Sequence, residues 1–156
     1  MLPPEYAHVR LAIIGVGEEE DALKAMVTSC GLEERVIFLG LRRDIQTWMS
    51  VADIYVMSSA WEGMPLVLLE AMSCKNVVVA TDCGGVKEVV GDAGFLVKPG
   101  EPQELSAALI NALLLSSEEK LYLGNSARQR IVKHYSIKVI CDNWISLYDE
   151  SNFHLK

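Results

Sequence analysis

Five short, largely apolar runs limit what this chain can fold into. They lie at residues 9–14, 35–40, 53–59, 76–80 and 94–97. None has the strict alternation of a strand with one wet face. Continuous apolar runs of this length, separated by helical stretches, read as parallel strands covered on both sides. The intervening segments 18–30 and 42–51 and the stretch from Leu66 to Met72 read as helices. Beyond Pro99-Gly100 and Pro102, three more helices are expected at 101–115, 118–134 and 137–150. The fold class is therefore α/β: a Rossmann-like parallel sheet of about five strands with helices on both faces. We assign 1–156 to one domain, with residues 8–115 as the Rossmann-like core and 116–150 as C-terminal helices. A chain of 156 residues can bury roughly 70% of its unfolded surface. Ser116-Ser117-Glu118-Glu119 resembles a helix start, and residues 151–156 are expected to fray.

Composition narrows the function. A net charge of −7 argues against a nucleic-acid partner, which would want a basic face, and against docking of this domain on anionic lipid. No apolar run approaches the roughly 18 residues of a membrane span. The opening Met1-Leu2-Pro3-Pro4-Glu5 has neither the charged start nor the apolar core of a signal peptide. Cys30, Cys74, Cys83 and Cys141 are widely spaced and without neighbouring histidines, which predicts buried free thiols and no zinc site. His8, His134 and His154 lie near the termini or at a helix end, away from any expected site.

In parallel sheets of this kind, ligands sit beyond the carboxyl ends of the strands. The loops there are Gly15-Val16-Gly17, Gly40-Leu41-Arg42, Ser58 to Pro65 and Thr81 to Gly85, and they are expected on one rim. Gly15-Val16-Gly17 is a fragment of a dinucleotide fingerprint, but Glu20 stands where a third glycine would be required, so an NAD site is disfavoured. The most informative loop runs Trp61-Glu62-Gly63-Met64-Pro65 into Leu66-Val67-Leu68-Leu69-Glu70-Ala71-Met72. Pro65 suits a first helical position. The helix after it is apolar on every side except at Glu70, so the carboxylate is expected to be buried and to need a partner. The N–H groups of Met64, Leu66 and Val67 open at the helix start, where the dipole favours an anion. Glu62 just before this start and Glu70 one turn inside it suggest a ligand that is part phosphate and part polyol.

Glu62 and Glu70, with seven residues between them, resemble the E-x7-E motif of retaining glycosyltransferases of family 4, which have the two-domain B-type fold. Ser58-Ser59 before the motif, Glu70-Ala71-Met72 closing it, and then Val77-Val78-Val79-Ala80-Thr81-Asp82-Cys83-Gly84-Gly85-Val86-Lys87-Glu88 continue the likeness. It runs on through Gly94-Phe95-Leu96-Val97-Lys98-Pro99-Gly100. The resemblance is to the C-terminal, nucleotide-sugar-binding domain of that family. It implies that Glu70 accepts hydrogen bonds from two ribose hydroxyls, the alternative being a salt bridge to Arg42 or Arg43. It implies that Glu62, the catalytic candidate, contacts the transferred sugar, the alternative being a cap on the following helix. Gly63, Met64, Pro65, Leu66 and Val67 would meet phosphate and sugar, with backbone donors from all but Pro65. Gly15 and Gly17 would lie beside the nucleotide and the Leu41 backbone would meet the base. Arg42 would stack on the base or reach the phosphate, or else simply be a solvated helix start. Gly84 and Gly85 would approach the sugar or merely turn the chain.

The same resemblance implies a donor that is a UDP-sugar, an acceptor that is a saccharide or lipid-linked molecule of bacterial polysaccharide or lipopolysaccharide synthesis, and no cofactor or metal, since no Asp-x-Asp is present. It implies a cytoplasmic location, with contact to the inner face of the cytoplasmic membrane only through a missing N-terminal acceptor domain. The family's domain begins with a strand and helix that carry an Arg and a Lys for the diphosphate, and nothing before Val9 can supply them. The sequence thus reads as a fragment lacking its central strand. Such a fragment is expected to be inactive in transfer and prone to self-association through an open sheet edge. The competing readings are a non-catalytic nucleotide-sensing or partner-binding α/β module, and a nucleotide-sugar epimerase or glycogen-synthase relative.

Overall fold

A computed structural model describes residues 6–153, with side chains described as far as residue 149. His154, residues 1–5 and the end of the expected C-terminal fray lie outside the described residues. The chain divides after Ile45 into two compact units. The first carries β1 (Leu11–Ile14), α1 (Glu20–Ser29) and β2 (Val36–Gly40). After α2 (Ile45–Val51), the second carries β3 (Ile54–Met57), α3 (Leu66–Ser73), β4 (Val77–Thr81), α4 (Val86–Val90) and β5 (Gly94–Val97). It closes with α5 (Pro102–Leu114), α6 (Ser117–Tyr135) and α7 (Ile137–Phe153).

All strand pairings are parallel, as the apolar runs require, but the five strands form two sheets rather than one. β1 pairs with β2, and the second sheet has the order β3-β4-β5. In the second unit the layers are complete. On one face Met57, Val78 and Ala80 pack with Leu68 and Met72 of α3, Val86, Val89 and Val90 of α4, and Ala127 and Ile131 of α6. On the other, Val77, Val79 and Val97 pack with Ala108 and Ala112 of α5. Every residue of β4 is buried.

Several local devices hold this unit in register. Asn76 donates from Nδ2 to the carbonyls of Met49 at 2.8 Å and Ala52 at 2.7 Å, tying the end of α2 to the start of β4. Arg130 of α6 donates to the carbonyls of Val89 and Glu88, and Arg128 to that of Ser73. These carbonyls end α4 and α3 and have no partner within their own helices. α6 starts with a capping box: Ser116 Oγ accepts from the Glu119 N–H, and Glu119 accepts from the Ser116 N–H at 2.8 Å.

The structure corrects four expectations. β1 is not a buried strand: Leu11 and Ala12 are exposed and Ile13 and Ile14 half-buried, and no described residue of the first unit is fully buried. Cys30 and Cys141 are exposed, whereas Cys83 is buried and Cys74 half-buried. The helix expected from Arg42 starts at Ile45 instead, because Arg42 closes a fork on Asp44 in the preceding turn. α4 was not anticipated; it is one short turn of helix whose Val86, Val89 and Val90 all point inward.

Candidate functional site

The chain between β3 and α3 is short of regular structure but firmly held. Thr81, the last residue of β4, donates from Oγ1 to the Ser59 carbonyl at 2.6 Å, and the Cys83 thiol lies 3.5 Å from the same oxygen. Further along, the Gly85 N–H donates to the Gly63 carbonyl at 3.2 Å. Gly84 has φ +53°, and a Cβ there would sit 1.7 Å from the Glu62 carbonyl oxygen. Both the conformation and the space thus require glycine. Gly84 and Gly85 do more than turn the chain: they let the backbone of Glu62 and Gly63 lie directly against them.

Glu62 is half-buried, and its Oε1 accepts a 2.7 Å hydrogen bond from Ser59 Oγ. It does not cap the helix. The N-cap of α3 is Pro65, one position earlier in the helix frame than the sequence suggested, with no side chain bonded to the helix start. The Pro65 carbonyl accepts from the N–H groups of Leu68 and Leu69. The N–H groups of Met64, Leu66 and Val67 have no acceptor among the described residues. This is the positive end of the α3 dipole with three unsatisfied donors.

α3 is not apolar and buried all round. Leu68, Ala71 and Met72 face the core, but Leu66 is 65% exposed, Val67 47% exposed, and Glu70 is exposed between them and solvent. Spacings of three and four residues put Leu66, Val67 and Glu70 on one face, which no element of this unit covers. Glu70 is therefore not a buried carboxylate that must find a partner. Glu70 makes no ion pair among the described residues, so the salt-bridge alternative falls. Tyr55 of β3, packed beneath α3, was not singled out in the sequence. Burial pushes its pKa up to about 12, and the negative charges of Glu62 and Glu70 add to the shift. One phenol thus senses both carboxylates of the motif. The signal that could have found it is its place on the inward face of a strand leading into the motif loop.

In the first unit, the register brings Ile14 opposite Gly40, and the Gly15 N–H donates to the Gly40 carbonyl at 2.9 Å. Gly15 has φ 130° and Gly40 φ 60°, so both strands end in conformations that favour glycine. Leu41 follows directly and is exposed. Arg42 holds Asp44 through Nε at 2.8 Å and Nη2 at 2.6 Å. Gly17 starts the turn into α1, its carbonyl accepting from the Glu20 N–H at 3.2 Å. His8 and His134 are exposed and belong to none of these loops.

Residues 2–114 match the family described as Glycosyl transferases group 1. An uncharacterized glycosyltransferase of Haemophilus influenzae is 33% identical over 148 residues, covering 92% of this chain and 41% of the relative. A UDP-Gal:alpha-D-GlcNAc-diphosphoundecaprenol alpha-1,3-galactosyltransferase of Escherichia coli is 31% identical over 141 residues, covering 87% of this chain and 35% of the relative. Among solved structures, HepE of Anabaena is similar with a TM-score of 0.82 and 31% identity over 95% of this chain and 42% of that one. HepE has been crystallised in complex with UDP and with UDP-glucose. The chain therefore spans about two fifths of the length of these proteins.

Proposed function

This chain belongs to the group 1 glycosyl transferases, and from that premise we propose that it is the C-terminal, donor-binding half of a retaining, family 4 glycosyltransferase. In this reading a sugar moves from a UDP-sugar to a saccharide or lipid-linked acceptor in bacterial polysaccharide or lipopolysaccharide synthesis. UDP-glucose bound to HepE and the galactosyltransferase activity named for the Escherichia coli relative support the donor class. The diphosphoundecaprenol in that relative's name supports the acceptor class.

One observation carries the proposal. At the start of α3, three N–H groups without acceptors lie between Glu62, held by Ser59, and the exposed carboxylate of Glu70. A dianionic diphosphate suits the amides and the helix dipole. The two oxygens of Glu70 suit a vicinal ribose diol, and Glu62 suits the hydroxyls of the transferred sugar. The backbone at Gly63, Met64, Leu66 and Val67 then stabilises charge developing on the departing diphosphate, without a metal. Gly15, Gly17, Leu41 and Arg42 are assigned to the nucleotide, through backbone near the base and through the guanidinium once it shares or leaves Asp44. In the chemical step the anomeric C–O bond to phosphate breaks and the acceptor oxygen bonds to the same face of the anomeric carbon. The acceptor proton passes to the departing phosphate oxygen.

The acceptor and any membrane contact belong in this reading to an N-terminal domain outside the chain. Among the described residues no helix is long and apolar enough to cross a membrane. Titration calorimetry with UDP, ADP and GDP tests the proposal. UDP is expected to bind in preference, and Glu70→Ala to abolish the binding. Binding of no nucleotide by the folded chain would overturn the donor-site reading, and appreciable sugar transfer by the chain alone would overturn the division of labour.

A further inference from the structure

Glu62 is reached by more than its place in the motif. Its loop is tied to the end of β4 at two points. Upstream, Thr81 Oγ1, in a residue only 3% exposed, fixes the Ser59 carbonyl at 2.6 Å, with the Cys83 thiol on the same oxygen. Downstream, Gly84 lies under the Glu62 carbonyl, and the Gly85 N–H holds the Gly63 carbonyl. Between these ties the Ser59 hydroxyl donates to one carboxylate oxygen of Glu62 at 2.7 Å. A free glutamate side chain samples many rotamers, and fixing one costs conformational entropy. Here that ordering is already done before any ligand arrives. One oxygen is committed to Ser59 and the second remains to accept from a ligand.

We infer that Ser59 is a positioning residue for Glu62: its hydroxyl, anchored through the Thr81–Ser59 carbonyl bond, aims the Glu62 carboxylate at the transferred sugar. This inference rests on the donor-site reading above. It also goes beyond it, because it makes discrimination of the sugar depend on a hydroxyl that acts through the Glu62 carboxylate. Ser59 acts on sugar recognition alone; the amides at the start of α3 that meet the diphosphate do not depend on it. The bond is charge-assisted, and such bonds are worth more than neutral ones.

The test compares affinities of the full chain for UDP and for a panel of UDP-hexoses, taking the tightest hexose as the probe. Ser59→Ala is expected to weaken the UDP-hexose about tenfold and leave UDP unchanged. Ser59→Thr, which keeps the hydroxyl, is expected to restore the hexose affinity. Glu62→Ala is expected to bring the UDP-hexose down to the affinity of UDP. If Ser59→Ala binds the hexose as wild type does while Glu62→Ala loses it, the positioning role is overturned and the donor site stands. If Ser59→Ala weakens UDP and UDP-hexose equally, Ser59 serves only the fold of the loop and the inference fails. If the wild-type chain binds UDP but no hexose adds to it, Glu62 is not a sugar contact and the inference fails. Binding of neither overturns both readings.

Discussion

β4 and β1 look alike in sequence and end up in opposite environments. Each is short, apolar and paired in parallel, yet all of Val77–Thr81 is buried and none of Leu11–Ile14 is. The difference lies in what covers them. β4 has a strand on each side, α3, α4 and α6 on one face, and α5 on the other. β1 has a single partner strand, and α1, the helix of the same unit, buries no residue. A continuous apolar run specifies a strand that can be buried on both faces. Whether it is buried depends on layers that the run itself does not encode.

That contrast can be sharpened by substitution. Leu68→Ala empties a fully buried position of the second unit and is expected to cost about 3 to 5 kcal/mol. Leu11→Ala, at a position 47% exposed, is expected to cost less than about 1 kcal/mol. Equal shifts of the two in chemical denaturation would break the comparison. Gly84→Ala comes next. It places a methyl against the Glu62 carbonyl in a left-handed backbone, and the expected loss is about 2 to 3 kcal/mol by thermal melting. Gly17→Ala, in the first unit, meets nothing within 4 Å and is expected to be near neutral in the same assay.

A third effect depends on pH. The folded-state pKa of Tyr55, about 12, lies above its ordinary value of 10.0, so the folded chain holds this phenol proton more tightly than the unfolded chain does. The resulting stability is fully present below pH 10 and is lost as pH rises through 12. The loss is expected to be on the order of 2 kcal/mol. Tyr55→Phe should flatten the melting profile over that window, and an unchanged slope would contradict the assignment. The smallest effect is local. Ser116→Ala removes one half of the α6 capping box and is expected to cost about 1 kcal/mol, read from the melting midpoint.

What was legible in the sequence follows the reach of each interaction. The five strands, the long helices and the Ser116 cap were legible because their signals sit within a few residues of each other. The burial of Glu70 was misread because an apolar helix of eight residues gives no sign that one face is left without a covering layer. α4 escaped because Val86, Val89 and Val90 belong to an apolar cluster too short to show a helical period. The seat of Glu62 was only half visible. Ser59 and Gly84 stood in the motif region, but the bonds joining Thr81 to Ser59 and the contact of Gly84 with Glu62 cross more than twenty residues of chain. No local pattern announces such a contact.

The start of α3 is where the donor is proposed to bind. An amide-resolved NMR titration of the chain with UDP tests it most directly. Selective shifts are expected at the amides of Met64, Leu66, Val67 and Glu70, all lost in Glu70→Ala. Saturating UDP that leaves the amides of Met64, Leu66 and Val67 unmoved in a folded sample would contradict it.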